Sequence, residues 1–172
     1  MGIVRGKASR HMDILDYVIQ FIAAAIGTWG FSAVFSTPKK EYFFCALNGG
    51  IIWITYLLLK DAGVGLTMSC MGSTFVITIL ARAFSAIRKN PVTVFLITAI
   101  FPLVPGAGIY YTAYYLIMND VAMAALKGME TFKVVGGMVL GIVFGFFMPK
   151  VIFDILAKHG PKREDGRYQK LV

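Results

Sequence analysis

Between Leu15 and Leu156 the chain is a succession of apolar stretches joined by short polar turns. Most of these stretches reach or approach the ~20 residues that an α-helix needs to cross the hydrocarbon of a bilayer. No other feature restricts the fold as strongly. Hydrophobic residues make up 58% of the sequence and charged residues 15%. A soluble domain is nearer 45–50% apolar and about a quarter charged. So few polar side chains cannot cover that much apolar surface, so lipid is the expected solvent. The fold class is an all-α integral membrane protein with about five transmembrane helices.

The expected spans are about 15–35, 42–59, 62–83, 92–118 and 132–156, within a transmembrane domain at 13–157. A polar N-terminal extension precedes it at 1–12 and a polar tail follows at 158–172. Met12-Asp13-Ile14 reads as a natural start, so the first eleven residues are expected to be an extension or an added leader. The first span is too long for a signal-peptide core, and Asp13 and Asp16 sit where such a core is apolar. Its Gly27 and Gly30 are expected to let another helix approach closely. Ser36–Glu41 is a turn, Asn48-Gly49-Gly50 interrupts the second span, and Lys60-Asp61 is a tight loop. After Asn119-Asp120 a short amphipathic piece runs to about Thr131. Gly65, Ser69 and Ser73 form a small-residue stripe on the third span, and Gly137, Gly141 and Gly145 form one on the last. Both stripes mark helix-packing faces.

Basic residues set the orientation. With five spans, the loops near 36–41 and 82–91 share a side with the tail. That side holds Lys39, Lys40, Arg82, Arg88, Lys89, Lys150, Lys158, Lys162, Arg163, Arg167 and Lys170. The opposite side holds Lys60, Lys127 and Lys133, with Arg5, Lys7 and Arg10 of the extension if it is native. The C-terminus is therefore expected in the cytoplasm and the N-terminus outside, in a bacterial plasma (inner) membrane. A four-span arrangement with both ends inside is the alternative.

The fourth stretch carries the chemistry. As one unbroken helix, Val92–Met118 would be about 40 Å long at ~1.5 Å per residue, against about 30 Å of hydrocarbon. Its middle reads Phe101-Pro102-Leu103-Val104-Pro105-Gly106-Ala107-Gly108. Pro102 deprives the carbonyl of Thr98 of its helical donor, and Pro105 does the same to Phe101. Two half-helices are expected to meet at this P-x-x-P-G break. Backbone groups released there cannot face lipid, so they face protein or a wet cavity. Broken helices of this kind build substrate sites in transporters. The N-terminal amides after Pro105 favour a carboxylate, and the carbonyls before it favour an ammonium group or a cation. Together they suit an amino acid, or a dicarboxylate if a partner supplies a base. The candidate substrate-binding residues are Thr98, Phe101, Pro102, Pro105, Gly106, Gly108, Tyr110, Tyr111 and Thr112. The competing reading is a plain kink packed against neighbouring helices, with interfacial tyrosines.

Other chemistry finds little support. Cys45 and Cys70 lie inside apolar runs and read as small buried hydrophobes. His11 and His159 sit in the polar ends, and no H-E-x-x-H, G-x-S-x-G or metal-ligand cluster occurs. No enzyme, no cofactor and no metal is expected. Net charge is +8, but the basic residues lie between and after apolar runs, where they set topology and meet anionic headgroups rather than nucleic acid. Asp16, Arg82 and Asp154 fall near span ends and read as interfacial anchors, Arg82 by snorkelling.

Several motifs together resemble a known family. They are Phe31-Ser32-Ala33-Val34-Phe35-Ser36-Thr37-Pro38, Cys45-Ala46-Leu47-Asn48-Gly49, Asn90-Pro91, and Phe101–Gly106 followed by Tyr110. In order and spacing, over roughly Met12 to Met148, they resemble the threonine/serine exporter family. The likeness is to its short, C-terminal-half type, which includes the YjjB-like succinate-export subunit. The resemblance implies five spans, a separate larger membrane subunit carrying the N-terminal half of the exporter, and ion-driven export of threonine and serine or of a C4 dicarboxylate such as succinate.

The expectation is thus a membrane subunit of an exporter of small carboxylate metabolites. Its partners would be the larger subunit, the substrate, the lipid bilayer and possible further copies of itself. The alternative from another class is a structural or scaffolding membrane subunit with no substrate of its own.

Overall fold

The computed structural model describes residues 14–149. The expected N-terminal extension, the polar tail and Asp154 lie outside the described residues. Within them the chain forms helices α1 Ile14–Val34, α2 Tyr42–Asp61, α3 Leu66–Arg88, α4 Val92–Ile100, α5 Gly106–Ile117 and α6 Val121–Phe147, with 3-10 turns at Lys39–Glu41 and Phe101–Leu103. Four of these helices are long and apolar enough to cross a membrane, and α4 and α5, bent by 57° at the break, make a fifth crossing if the pair is one span rather than a re-entrant loop. The chain is a multi-pass, all-α membrane protein whose fourth apolar stretch is broken at the P-x-x-P-G motif.

Helix ends follow local chemistry. α1, α2, α3 and α5 are each followed by a left-handed residue: Ser36 (φ 52°), Gly63 (φ 82°), Lys89 (φ 53°) and Asn119 (φ 58°). That conformation turns the chain while satisfying terminal carbonyls. Past α2, the amides of Gly63 and Val64 donate back to Lys60 and Leu59 at 3.0 and 3.1 Å. Asp120 caps α6 by accepting from the Met123 amide at 3.1 Å.

α2 is central and packs against α1, α3 and α4; α3 also packs against α6, and α5 lies along α6. Cys45, Ile52, Ile77, Ala81, Phe95 and Ala99 are fully buried in the α2–α3–α4 core. Ile19, Ile22, Ile26 and Trp29 of α1 are exposed, as a lipid-facing surface requires. Between lipid-soaked helices burial of apolar area contributes little, so close contact over small residues does the work. A Cβ at Gly137, Gly141 or Gly145 would overlap Thr67, the Met71 carbonyl with Thr74, or Thr78. These matches ascend together, so α3 and α6 run parallel. Gly108 meets Thr131 and Gly128 meets Thr112, which makes α5 and the first half of α6 an antiparallel hairpin.

Several elements depart from the sequence expectation. α6 starts at Val121, well ahead of Phe132, as one continuous helix. Nothing in 121–131 breaks a helix, and the Lys127–Glu130 pair at 2.9 Å supports that turn. α3 begins at Leu66 because Gly63 closes α2 and Gly65 is extended (φ −60°, ψ 151°). Asn48-Gly49-Gly50 does not interrupt α2. Gly49 and Gly50 instead admit α1, since a Cβ at either would strike Thr28 or Phe21. Gly27 and Gly30 face open space, so α2 supplies the glycines for this contact.

One end of the bundle gathers charge. Glu41 accepts two hydrogen bonds from Arg88, both at 2.9 Å, and the Arg88 guanidinium lies 4.7 Å from the centre of the Phe44 ring. Arg82 does not snorkel. It is 9% exposed and donates to the carbonyls of Gly145 (2.8 Å), Phe146 (3.2 Å) and Met148 (2.9 Å). α6 has no basic residue in its last turn, so α3 lends it a cation for its carbonyl end. These contacts put the α1–α2 turn, the end of α3 and the end of α6 at one end of the bundle. Tyr17 and Asp61 are hydrogen-bonded at the other.

Candidate functional site: the break and its vestibule

Pro102 cannot donate at the end of α4, and the chain tightens there into the 3-10 turn at Phe101–Leu103. The Val104 amide then donates to Phe101 at 3.2 Å. Pro105 sits at φ −77°, ψ 60°, the centre of an inverse γ-turn in which Gly106 donates to the Val104 carbonyl at 2.7 Å. α5 takes up regular bonding with Ile109 donating to Pro105 at 3.1 Å. That leaves the amides of Ala107 and Gly108 without a backbone acceptor among the described residues.

The turn rests on α1 and α2. The Phe101 ring stacks on Phe31 with centroids 3.9 Å apart and tilts against Phe35 at 5.3 Å. Pro102 closes a hollow of about 210 Å³ with Gln20, Ala23, Ala24 and Trp53, where the Trp53 indole donates to Gln20 at 2.9 Å.

Beside the break, a vestibule of about 170 Å³ opens between the α1–α2 turn and α4. It is lined by Phe35, Ser36, Thr37, Pro38, Thr93, Val94, Ile97 and Thr98. Thr98, 1% exposed, is at its inner end. Its hydroxyl donates to Val94 at 2.9 Å. The Cys45 thiol lies within hydrogen-bonding reach of Thr98 and Ser32 and also approaches the Val94 carbonyl at 3.6 Å. Three helices thus bring hydroxyls and a thiol together inside the membrane. The lining carries dipoles and rings but no charge, so it suits partial charges on a ligand better than a free ion. Among the described residues no cluster of metal-ligating side chains occurs.

The structure divides the candidate residues into separate places. Thr98, Phe101 and Pro102 face α1 and α2. Pro105 and Gly106 form the turn. Gly108 and Thr112 lie in the seam with α6, with the Thr112 hydroxyl donating to Gly108 at 2.7 Å. Tyr110 and Tyr111 are exposed at 63% and 48%. On the packing faces, Ser69 and Ser73 are fully buried and donate to Val64 and Ser69, while Gly65 faces open space. Sequence reasoning did not name Ser32, Thr37 and Cys45 as candidate site residues, although all three stand in the motifs at 31–38 and 45–49 that carry the family resemblance.

A family model described as Threonine/Serine exporter, ThrE, matches residues 20–148. The chain belongs to the threonine/serine exporter family. The match takes in all of the vestibule and the break. A curated relative, an uncharacterised protein of Haemophilus influenzae (strain Rd), is 26% identical over 144 residues, covering 81% of this chain and 48% of that protein. The chain therefore spans about half the length of that relative. No solved structure matches. Family membership fits the multi-pass fold and places the chain among transport proteins.

Proposed function

We propose that the chain is a membrane subunit of an exporter of small carboxylate metabolites, threonine and serine or a C4 dicarboxylate such as succinate. It acts with a larger membrane subunit carrying the N-terminal half of the exporter. The substrate passes the α4–α5 break. The observation that carries this reading is the break itself: a bent span whose 3-10 turn packs against two helices beside a hydroxyl-lined vestibule. The helix end at Ala107 and Gly108 favours the substrate carboxylate. The membrane is the bacterial plasma membrane. The basic end of the bundle, with the α1–α2 turn and the end of α6, faces the cytoplasm, so the vestibule opens to the compartment from which substrate leaves.

The test is efflux of labelled threonine, serine and succinate from cells with the chain deleted, restored, or restored as Pro105→Ala plus Gly106→Leu. Restoration should recover export, and the double variant should lose it at normal protein level. Export that survives the double variant would remove the break from the pathway. Full export by this chain without a larger subunit would end the two-part reading.

A second reading is a structural subunit. It draws on α5, which packs along α6 and leaves Tyr110 and Tyr111 exposed. On that reading the purified complex gains no thermal stability from substrate. On the transport reading it does, and Tyr110→Phe or Tyr111→Phe changes the gain.

A further inference from the structure

Asn48 is fully buried on α2, and neither its Oδ1 nor its Nδ2 has a hydrogen-bond partner among the described residues. It lies about 9 Å into the helix from Tyr42 at ~1.5 Å per residue, inside an apolar span. Such an amide loses all its hydrogen bonds to water and regains none, a cost that folded proteins rarely carry without cause. Among the described residues no other buried side-chain nitrogen or oxygen is left without a partner. One turn earlier, Cys45 reaches Thr98, Ser32 and Val94. Next to Asn48, Gly49 abuts Thr28, whose hydroxyl donates to Ala24 at 2.9 Å. Thr98 joins this buried group to the vestibule, since it lines that opening and meets Cys45.

We infer that Asn48 is the headgroup anchor for an amino-acid zwitterion that enters through the vestibule past Thr98. The inference rests on the export reading above and narrows its substrate class. A carboxamide offers two donors and one acceptor oxygen, so the ligand that satisfies it both accepts and donates. An amino acid does so: its carboxylate accepts from Nδ2 and its ammonium donates to Oδ1. A dicarboxylate dianion only accepts and leaves Oδ1 orphaned. A bare monovalent cation leaves Nδ2 orphaned. The described state is closed around the amide, so binding requires the helices around it to part.

The experiment uses inside-out vesicles from the native host, with the chromosomal chain unaltered, deleted, or replaced by Asn48→Leu. Leucine removes both polar ends at similar volume and leaves no orphan, so the protein should accumulate and melt normally. Uptake of labelled L-threonine by the unaltered vesicles should greatly exceed that of succinate, and Asn48→Leu should raise the threonine KM about 10–100-fold, the loss of one or two hydrogen bonds to charged groups. An unchanged threonine KM overturns the assignment while leaving export intact. Succinate as the sole transported substrate also overturns it. No difference between unaltered and deleted vesicles for any substrate instead sinks the export reading. Should Asn48→Leu fail to accumulate, Asn48→Ala and the threonine-dependent thermal shift of the purified unaltered protein, compared with succinate, decide in its place.

Discussion

Three single residues outside the site make contacts whose loss can be measured. Gly141 lies under the Met71 carbonyl and Thr74. Gly141→Leu should destabilise the detergent-solubilised protein by about 1–3 kcal/mol, the usual cost of forcing atoms into a packed seam. Gly136→Ala, which enters open space, should leave the melting temperature unchanged. Arg82 is the second. Removing its guanidinium strands the carbonyls of Gly145, Phe146 and Met148. Arg82→Met should cost about 2–3 kcal/mol, and Arg82→Lys should recover only part of it, because an ammonium lacks the planar fork. Protease sensitivity at the end of α6 would report the fraying directly. The third is Glu41, nearly buried against a partly exposed Arg88. A double-mutant cycle with Glu41→Gln and Arg88→Met should return a coupling on the order of 1 kcal/mol, above a fully exposed pair because the contact is bidentate. A coupling near zero would mean that the α1–α2 turn is held by Pro38 and packing alone.

At the scale of elements, the bend between α4 and α5 is the feature that makes this more than a bundle. Pro102→Ala restores an amide within reach of the Thr98 carbonyl and removes the clash that a proline ring imposes. A double proline with a γ-turn at Pro105 resists straightening, so Pro102→Ala alone should narrow the 57° bend without abolishing it. Spin labels on the exposed Thr93 and Leu116 positions would register a longer mean distance in Pro102→Ala, and an unchanged distance would assign the bend to Pro105 and the Phe31–Phe101 stack. The α5–α6 hairpin is held by two glycine–threonine contacts, Gly108 with Thr131 and Gly128 with Thr112. Sequence reasoning offered Gly108 and Thr112 as substrate residues and could not show that they also pack: the half-helix after a 57° turn meets α6, and both residues lie against it.

For the whole molecule, the expected orientation is open to direct labelling. Cys45 and Cys70 are buried and should stay unreactive in intact cells. An impermeant maleimide added outside should label Met118→Cys, which is exposed beyond α5, and should not label Lys40→Cys at the basic end. The reverse pattern would invert the membrane orientation and close the route from cytoplasm to vestibule.

Much of this was written in the chain itself. Apolar length identifies the membrane-embedded helices, because lipid tolerates no unpaired backbone. Pro102 and Pro105 fix the position of the break, because a missing amide is a local covalent fact. Gly137, Gly141 and Gly145 mark a seam through their spacing alone. What the sequence does not contain is which helix fills each seam. Gly49 and Gly50 looked like an interruption, and only α1 packed against them explains them. Arg82 looked like an anchor near a span end, and only the end of α6 beside it makes it a cap. Asn48 was one polar letter in an apolar run. Its meaning depends on every neighbour that fails to reach it, and that is a property of the assembled helices rather than of any segment.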